Sequence, residues 1–314
     1  MTLLLVVSAL GLLVLPGCAR PLGRWLPPAE WARLCAGLLL VGGVTLEAGL
    51  IVLGGPTVLR LAGLEAVADL CEHLLGALAP GGAPLGMAAA MTALLLAAAA
   101  GRSVARARRS RRVLRIEPGI GWHGEFCGHD LVVLPSEELV AFSAGGRPAQ
   151  VVVSWRLVEI LADDELAAVL RHELAHVHHR HDRYLLLARV IEQSLGLLPF
   201  VQRSTRALRC ALERWADEDA AGGGRRGRES VRAALIRVIE AIATPDVAAF
   251  VSPGTVVERL QALQAAPASG LSPVRRVVVY LPALLLVLLA VATLEGTVEH
   301  VAVLRMFAGL CPPH

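Results

Sequence analysis

The sequence predicts a mainly α protein: multi-span membrane helices joined to a cytoplasmic α+β domain that carries a small sheet. Three observations lead there. Hydrophobic residues fill 55% of the 314 positions and the mean hydropathy is +0.60, high for a purely soluble chain. The apolar residues gather in long runs of the length a bilayer asks for. Between the third and the last of these runs the texture changes to short β-branched stretches broken by Pro and Gly, followed by an amphipathic helical pattern.

Taken in order, residues 3–16 form an apolar run with no basic residue before it, so a retained helix is favoured over a secretory leader. Leu15-Pro-Gly-Cys18 has the outline of a lipidation box, but the proline inside it and the missing basic start argue against lipidation. The second run, Leu34 to Leu53, contains one acid, Glu47, which either has a function or sits near the interface. The third, Pro84 to Ala100, is alanine-rich and stops against Arg102, Arg106, Arg108, Arg109, Arg111 and Arg112. Directly after an apolar run, such a block marks the cytoplasmic side of a membrane better than a nucleic-acid patch, so no direct nucleic-acid partner is expected. The segment 18–33 is basic through Arg20, Arg24 and Arg33, whereas 54–83 sets Arg60 against Glu65, Asp69 and Glu72. That alternation predicts an outward N-terminus and a cytoplasmic location for everything after Arg102, with the lipid bilayer as a partner. The acidic loop has helical apolar spacing and reads as a short helix on the outer surface.

From Val113 onward, strands are expected in LRIEPG, in DLVVLPSEELVAFSAGG and in PAQVVVSWRLVEIL. Leu185 to Phe200 is interrupted by Arg189 and Glu192 and reads as a core or membrane-hugging helix, with a further span as the alternative. Residues 222–228, GGGRRGR, read as a flexible solvated loop. The last run, Val277 to Leu294, follows Arg275 and Arg276 and returns the chain outward. Three units result: a membrane domain over 1–101, a cytoplasmic domain over 102–270, and a final membrane helix with a short tail over 271–314. All 30 basic residues are arginine, which fits a GC-rich bacterial genome and hence a bacterial cell membrane. The six cysteines show no CxxC pairing and read as mostly free.

The chemistry centres on His172-Glu-Leu-Ala-His176. On a helix, imidazoles four residues apart share a face and can reach one metal ion, with Glu173 beside the open coordination position. The helix that carries them is well made: Asp163 can cap it, and Asp164 and Glu165 place acid in its first turn. A zinc hydrolase needs a third protein ligand, and Glu213, 37 residues after His176, is the best candidate. Asp217 stands one turn further along, where it can accept the ring N–H of a liganding histidine. The competing reading of ERWADEDA is a charged exposed helix face. Five of the ten histidines fall between 172 and 181. With no glycine at 179 the helix should run on and carry His178 and His181 away from the ion, leaving them as supporting, substrate-side or surface groups. Arg259 and His178 are candidates for steadying the oxyanion of a tetrahedral intermediate. The expected chemistry is hydrolysis by one Zn2+ per chain with Glu173 as general base. A non-proteolytic zinc-containing membrane receptor or scaffold is the alternative, and Glu173 separates the two, because a structural site does not need that carboxylate.

HELAHVHHRH together with Glu213 to Asp217 resembles the integral-membrane gluzincins, zinc metallopeptidases that include the CAAX prenyl proteases, the heat-shock membrane proteases and the β-lactam sensor-transducer peptidases. Three runs before the motif and one after it look most like the last branch, and the approach through 130–146 is similar as well. The resemblance is specific over 131–220 and architectural elsewhere. It implies a zincin-type peptidase domain with zinc on His172, His176 and Glu213, Glu173 as base and Asp217 as orienter; an arginine near 259 is a weaker match. It also implies a protein or peptide substrate, with a transcriptional repressor as one candidate, held as an added strand along Val151 to Ser154. Sensor-transducers carry a large ligand-binding domain after the last span, where this chain has about twenty residues, so the trigger is not implied.

Overall fold

The computed structural model describes residues 2–75, 82–113, 120–144, 149–242, 253–265, 274 and 277–292. The expected strand at 114–119, Arg275, Arg276, Cys311 and the tail after 294 lie outside the described residues. The protein is mainly helical with one small mixed sheet. Helices α1 (Thr2–Cys18), α2 (Pro28–Leu61), α3 (Glu65–Leu75) and α4 (Gly82–Val113) come first. Four strands follow: β1 (Trp122–Phe126), β2 (His129–Leu134), β3 (Ala141–Ala144) and β4 (Gln150–Ser154). After them come α5 (Trp155–Ile160), α6 (Asp163–His178), α7 (His181–Leu195), α8 (Pro199–Ala221), α9 (Arg225–Ile242) and α10 (Pro253–Gln264). A last apolar helix, α11, spans Val277–Ala292.

Among the described residues, α2 and α4 are long and apolar enough to cross a membrane, while α1 and α11 are apolar but shorter. Their outward faces keep large side chains exposed, for example Val44, Ile51, Leu94, Leu95, Leu284 and Leu288, as expected for helices that meet lipid on one side. Inward they pack closely: a Cβ at Gly54 would meet the Ala90 backbone of α4 at 2.6 Å, so only glycine permits that approach. The α4 helix continues through the arginine block rather than ending at it, since arginine is a good helix former and nothing breaks the pattern.

The apolar helices α1 and α2 share one core with α7 and α8. Ala9, Leu13, Trp31 and Leu39 of α1 and α2 pack with Ile191 of α7 and with Leu208, Leu212 and Trp215 of α8. Leu185 to Phe200 is therefore a buried-face helix ending at Leu195, and Pro199 starts α8. At Gly17 the Ser204 hydroxyl of α8 accepts the backbone N–H at 3.0 Å, which pins the end of α1 to α8.

The sheet has the order β1-β2-β4-β3, with β4 parallel to β2 and antiparallel to β3. This corrects the placement of the edge. Val151 to Ser154 is paired on both sides and buried on both faces, which its unbroken valine run fits better than an exposed edge. The open edge on that side is β3. Leu170 and Leu174 of α6 pack on Val151 and Val153, seating the motif helix on the sheet.

The start of α6 differs from expectation in detail. Asp163 is its first helical residue, and the terminal amide of Ala162 is satisfied by Glu165, whose carboxylate accepts it at 3.0 Å. Glu165 also pairs with Arg237 of α9 at 2.7 Å. The stretch 222–228 is shorter as a loop than predicted, because α9 begins at Arg225; Arg228 is buried and bound to Glu218 of α8. The described cysteines, Cys18, Cys35, Cys71, Cys127 and Cys210, are free.

Candidate metal centre

Two helices bring the candidate ligands together. His172 and His176 lie on one face of α6, and Glu213 faces them from α8, which packs beside it through Ala168, Ala220 and Ala221. One donor atom from each of the three falls within 4.8 Å of the others. The Nε2 atoms of the two histidines are 3.1 Å apart, and Glu213 places Oε2 at 3.5 Å from the first and Oε1 at 3.7 Å from the second. Two imidazoles and one carboxylate form a donor set of the hydrolytic zinc type, which leaves a coordination position open.

The rear nitrogens are held as well. His172 Nδ1 lies 3.0 Å from Asp217 Oδ1, a placement that leaves Nε2 turned toward Glu213 and His176. His176 Nδ1 lies 2.9 Å from Nδ1 of His181. This second contact exists because α6 does not run on. His179 ends it, Arg180 adopts a left-handed conformation at φ 53°, and α7 begins at His181, which turns back under the metal helix and is fully buried against Trp215. A bulky residue seldom takes that conformation, so a glycine-based rule for helix breaks misses it. His178, by contrast, is exposed and stands edge-on to the His129 ring, with centroids 5.2 Å apart, so its contact lies outside the metal-binding trio.

Arg259 comes from α10 and lines the same cleft as His172, Glu173 and Glu213. Its fork binds Asp217 through Nε at 2.8 Å and Nη2 at 2.7 Å, and Nη1 reaches Glu213 Oε2 at 3.2 Å. One guanidinium thus braces the ligand carboxylate and the orienting carboxylate together.

The titrations follow from these contacts. Burial opposes charge on His172, but Asp217 and Glu213 outweigh it and push its pKa up to about 10. Burial also works against ionised Glu213 and Asp217, yet His172 and Arg259 hold both carboxyls below their ordinary range. His176 is pushed down to about 4 by burial and by His172. Burial likewise lowers His181, helped by His176, to about 3, so it faces His176 as a neutral acceptor. Burial raises the pKa of Glu173, and the nearby backbone of Ser143 in β3 works against that rise. Glu173 therefore stands between the metal ligands and the open sheet edge. A cleft of about 290 Å³ connects these groups, lined by Leu139 and Ala141 on the strand side and by Val231, Leu235 and Val238 of α9.

The family model of peptidase family M48 matches residues 104–244. That stretch runs from the arginine-rich end of α4 through α9 and includes HELAH, Glu213 and Asp217; Arg259 and the helices α1 and α2 lie outside it. The match supports a zinc-dependent metallopeptidase. Comparison with curated proteins and with solved structures gives no match.

Proposed function

We propose that this protein is a membrane-embedded zinc endopeptidase that hydrolyses peptide bonds of a cytoplasmic or membrane-associated protein. The observation that carries the reading is the convergence of His172, His176 and Glu213 donor atoms beside the buried carboxylate of Glu173. Bound there, zinc would supply Lewis acidity that activates water and polarises the scissile carbonyl. The chain supplies the rest. Glu173, made more basic by burial, takes the proton of the attacking water and gives it to the leaving amine. Asp217 and His181 hold the ligand rings by their Nδ1 atoms, and Arg259 keeps both acidic groups ionised. The substrate adds as a strand along β3, whose free edge passes Glu173 at Ser143, and the apolar wall of the cleft receives a side chain next to the cleaved bond.

In this reading α1, α2, α4 and α11 enter the bilayer, and the arginine block at the end of α4 keeps the peptidase unit on the cytoplasmic side. The run pattern and the 130–146 approach favour the sensor-transducer branch, for which a transcriptional repressor is a fitting substrate class. The test is cleavage of an unfolded protein by the purified chain before and after a chelator strips it. Activity should disappear and return with added zinc; activity that survives complete metal removal sinks the proposal.

A further inference from the structure

A second cavity, of about 710 Å³, lies beside α8 where the chain passes from α1 to α2, with α10 closing its far wall. Four arginines line it, Arg20, Arg24, Arg214 and Arg228, against two acids, Glu218 and Glu258. Both acids are already engaged. Glu218 binds Arg228, while Glu258 receives Arg20 Nη2 at 2.5 Å and the Cys210 thiol at 3.1 Å. Arg24 and Arg214 have no anionic partner among the described residues, and the Nε–H groups of Arg20 and Arg214 are buried with no acceptor among them. Buried donors normally find a partner, because leaving one unmatched forfeits its hydration. Four cations against two anions also leave the cavity with two positive charges in excess.

An anion with several acceptor oxygens answers both needs, and a phosphate diester matches the arginine fork best. The position says where such a group comes from. The cavity sits at the adjoining ends of two apolar helices, next to Trp25, which is exposed as interfacial tryptophans commonly are. We propose that this cavity binds the phosphate headgroup of an anionic phospholipid, a proposal that rests on the reading that α1 and α2 enter the bilayer. The headgroup would bind Arg214 of α8, one residue from Glu213 of the candidate metal centre.

The test uses the full chain in detergent, with phosphatidylglycerol or phosphatidylcholine added and retention read by native mass spectrometry. Phosphatidylglycerol should be held about tenfold more strongly, the weight of roughly one charge-assisted hydrogen bond. The preference should fall in Arg24→Gln, whose side chain is exposed and safe to change, vanish in Arg24→Gln/Arg214→Gln, and persist in the distant Arg156→Gln. Equal retention of the two lipids, an undiminished preference in the double variant, or displacement of phosphatidylglycerol by millimolar inorganic phosphate would overturn the site. Flotation with pure phosphatidylcholine vesicles reads membrane insertion separately. A chain that floats without the lipid preference loses this site alone; one that does not float loses the membrane reading with it.

Discussion

Replacing Asp217 by alanine removes the group on which the metal centre turns. Its side chain is 2% exposed, stands 3.0 Å from His172 Nδ1, and takes both arms of Arg259 at 2.7 and 2.8 Å. The loss frees the His172 ring to rotate and to change tautomer. Losing such a supporting partner weakens metal binding about 10–100-fold, or roughly 1.4–2.8 kcal/mol. It also leaves Arg259 with Glu213 alone, and breaking a buried pair from one side costs about 3–5 kcal/mol of folding stability. Asp217→Asn separates the two effects, because an amide oxygen can still accept the His172 N–H while Arg259 keeps only its Glu213 contact. Competition for zinc against a fluorescent chelator, beside denaturant unfolding, reads both. Asp217→Ala should lose affinity and stability, and Asp217→Asn should stay within about tenfold of the parent in affinity. An alanine variant that binds zinc as tightly as the parent refutes the orienting role.

Arg259→Met leaves Glu213 and Asp217 facing each other without their shared cation, so denaturant unfolding should show a loss of about 3–5 kcal/mol; parental stability would show that the pair contributes little. Asp217 has a lowered pKa in the fold, so its contribution is complete above the unfolded value of about 3.9 and is lost as pH falls through the lower folded value. Stability measured from pH 5 downward should therefore fall less steeply in Asp217→Asn than in the parent, and parallel acid slopes would contradict this. Gly17→Val drives a side chain into α8, where a Cβ already meets Ser204 Oγ at 2.9 Å and its backbone N at 3.1 Å. Overpacking of this kind costs about 1–3 kcal/mol and should lower the unfolding temperature, whereas an unchanged one would mean that α1 is not pinned there.

The elements that depend on local pattern were legible in the sequence. The apolar runs became helices, the amphipathic acid-started segment became α6, and the i, i+4 geometry of HELAH follows from helical periodicity alone. The approach of Glu213 and Asp217 to the histidine pair was also readable, since their one-turn spacing puts both on one helix face. What could not be read depends on long-range packing. The valine run of β4 looks the same at an edge or in a centre, and only pairing with both β2 and β3 decides it. The turn at Arg180 uses a residue type that rarely adopts that conformation, so the return of His181 beneath His176 had no local signal. Arg259 was singled out, but its partners are 42 residues or more away along the chain, and the choice between binding an oxyanion and bracing carboxylates is made by the placement of α10.

The most direct test of the central claim is the Glu173→Gln variant, in which one carboxylate loses its basicity and the metal ligands stay intact. Purified from zinc-supplemented cells, it should retain about one zinc per chain, as the parent does, while cleavage of an unfolded test protein disappears. Parental cleavage by a zinc-loaded Glu173→Gln chain, or a parent chain that holds no zinc, would contradict the account.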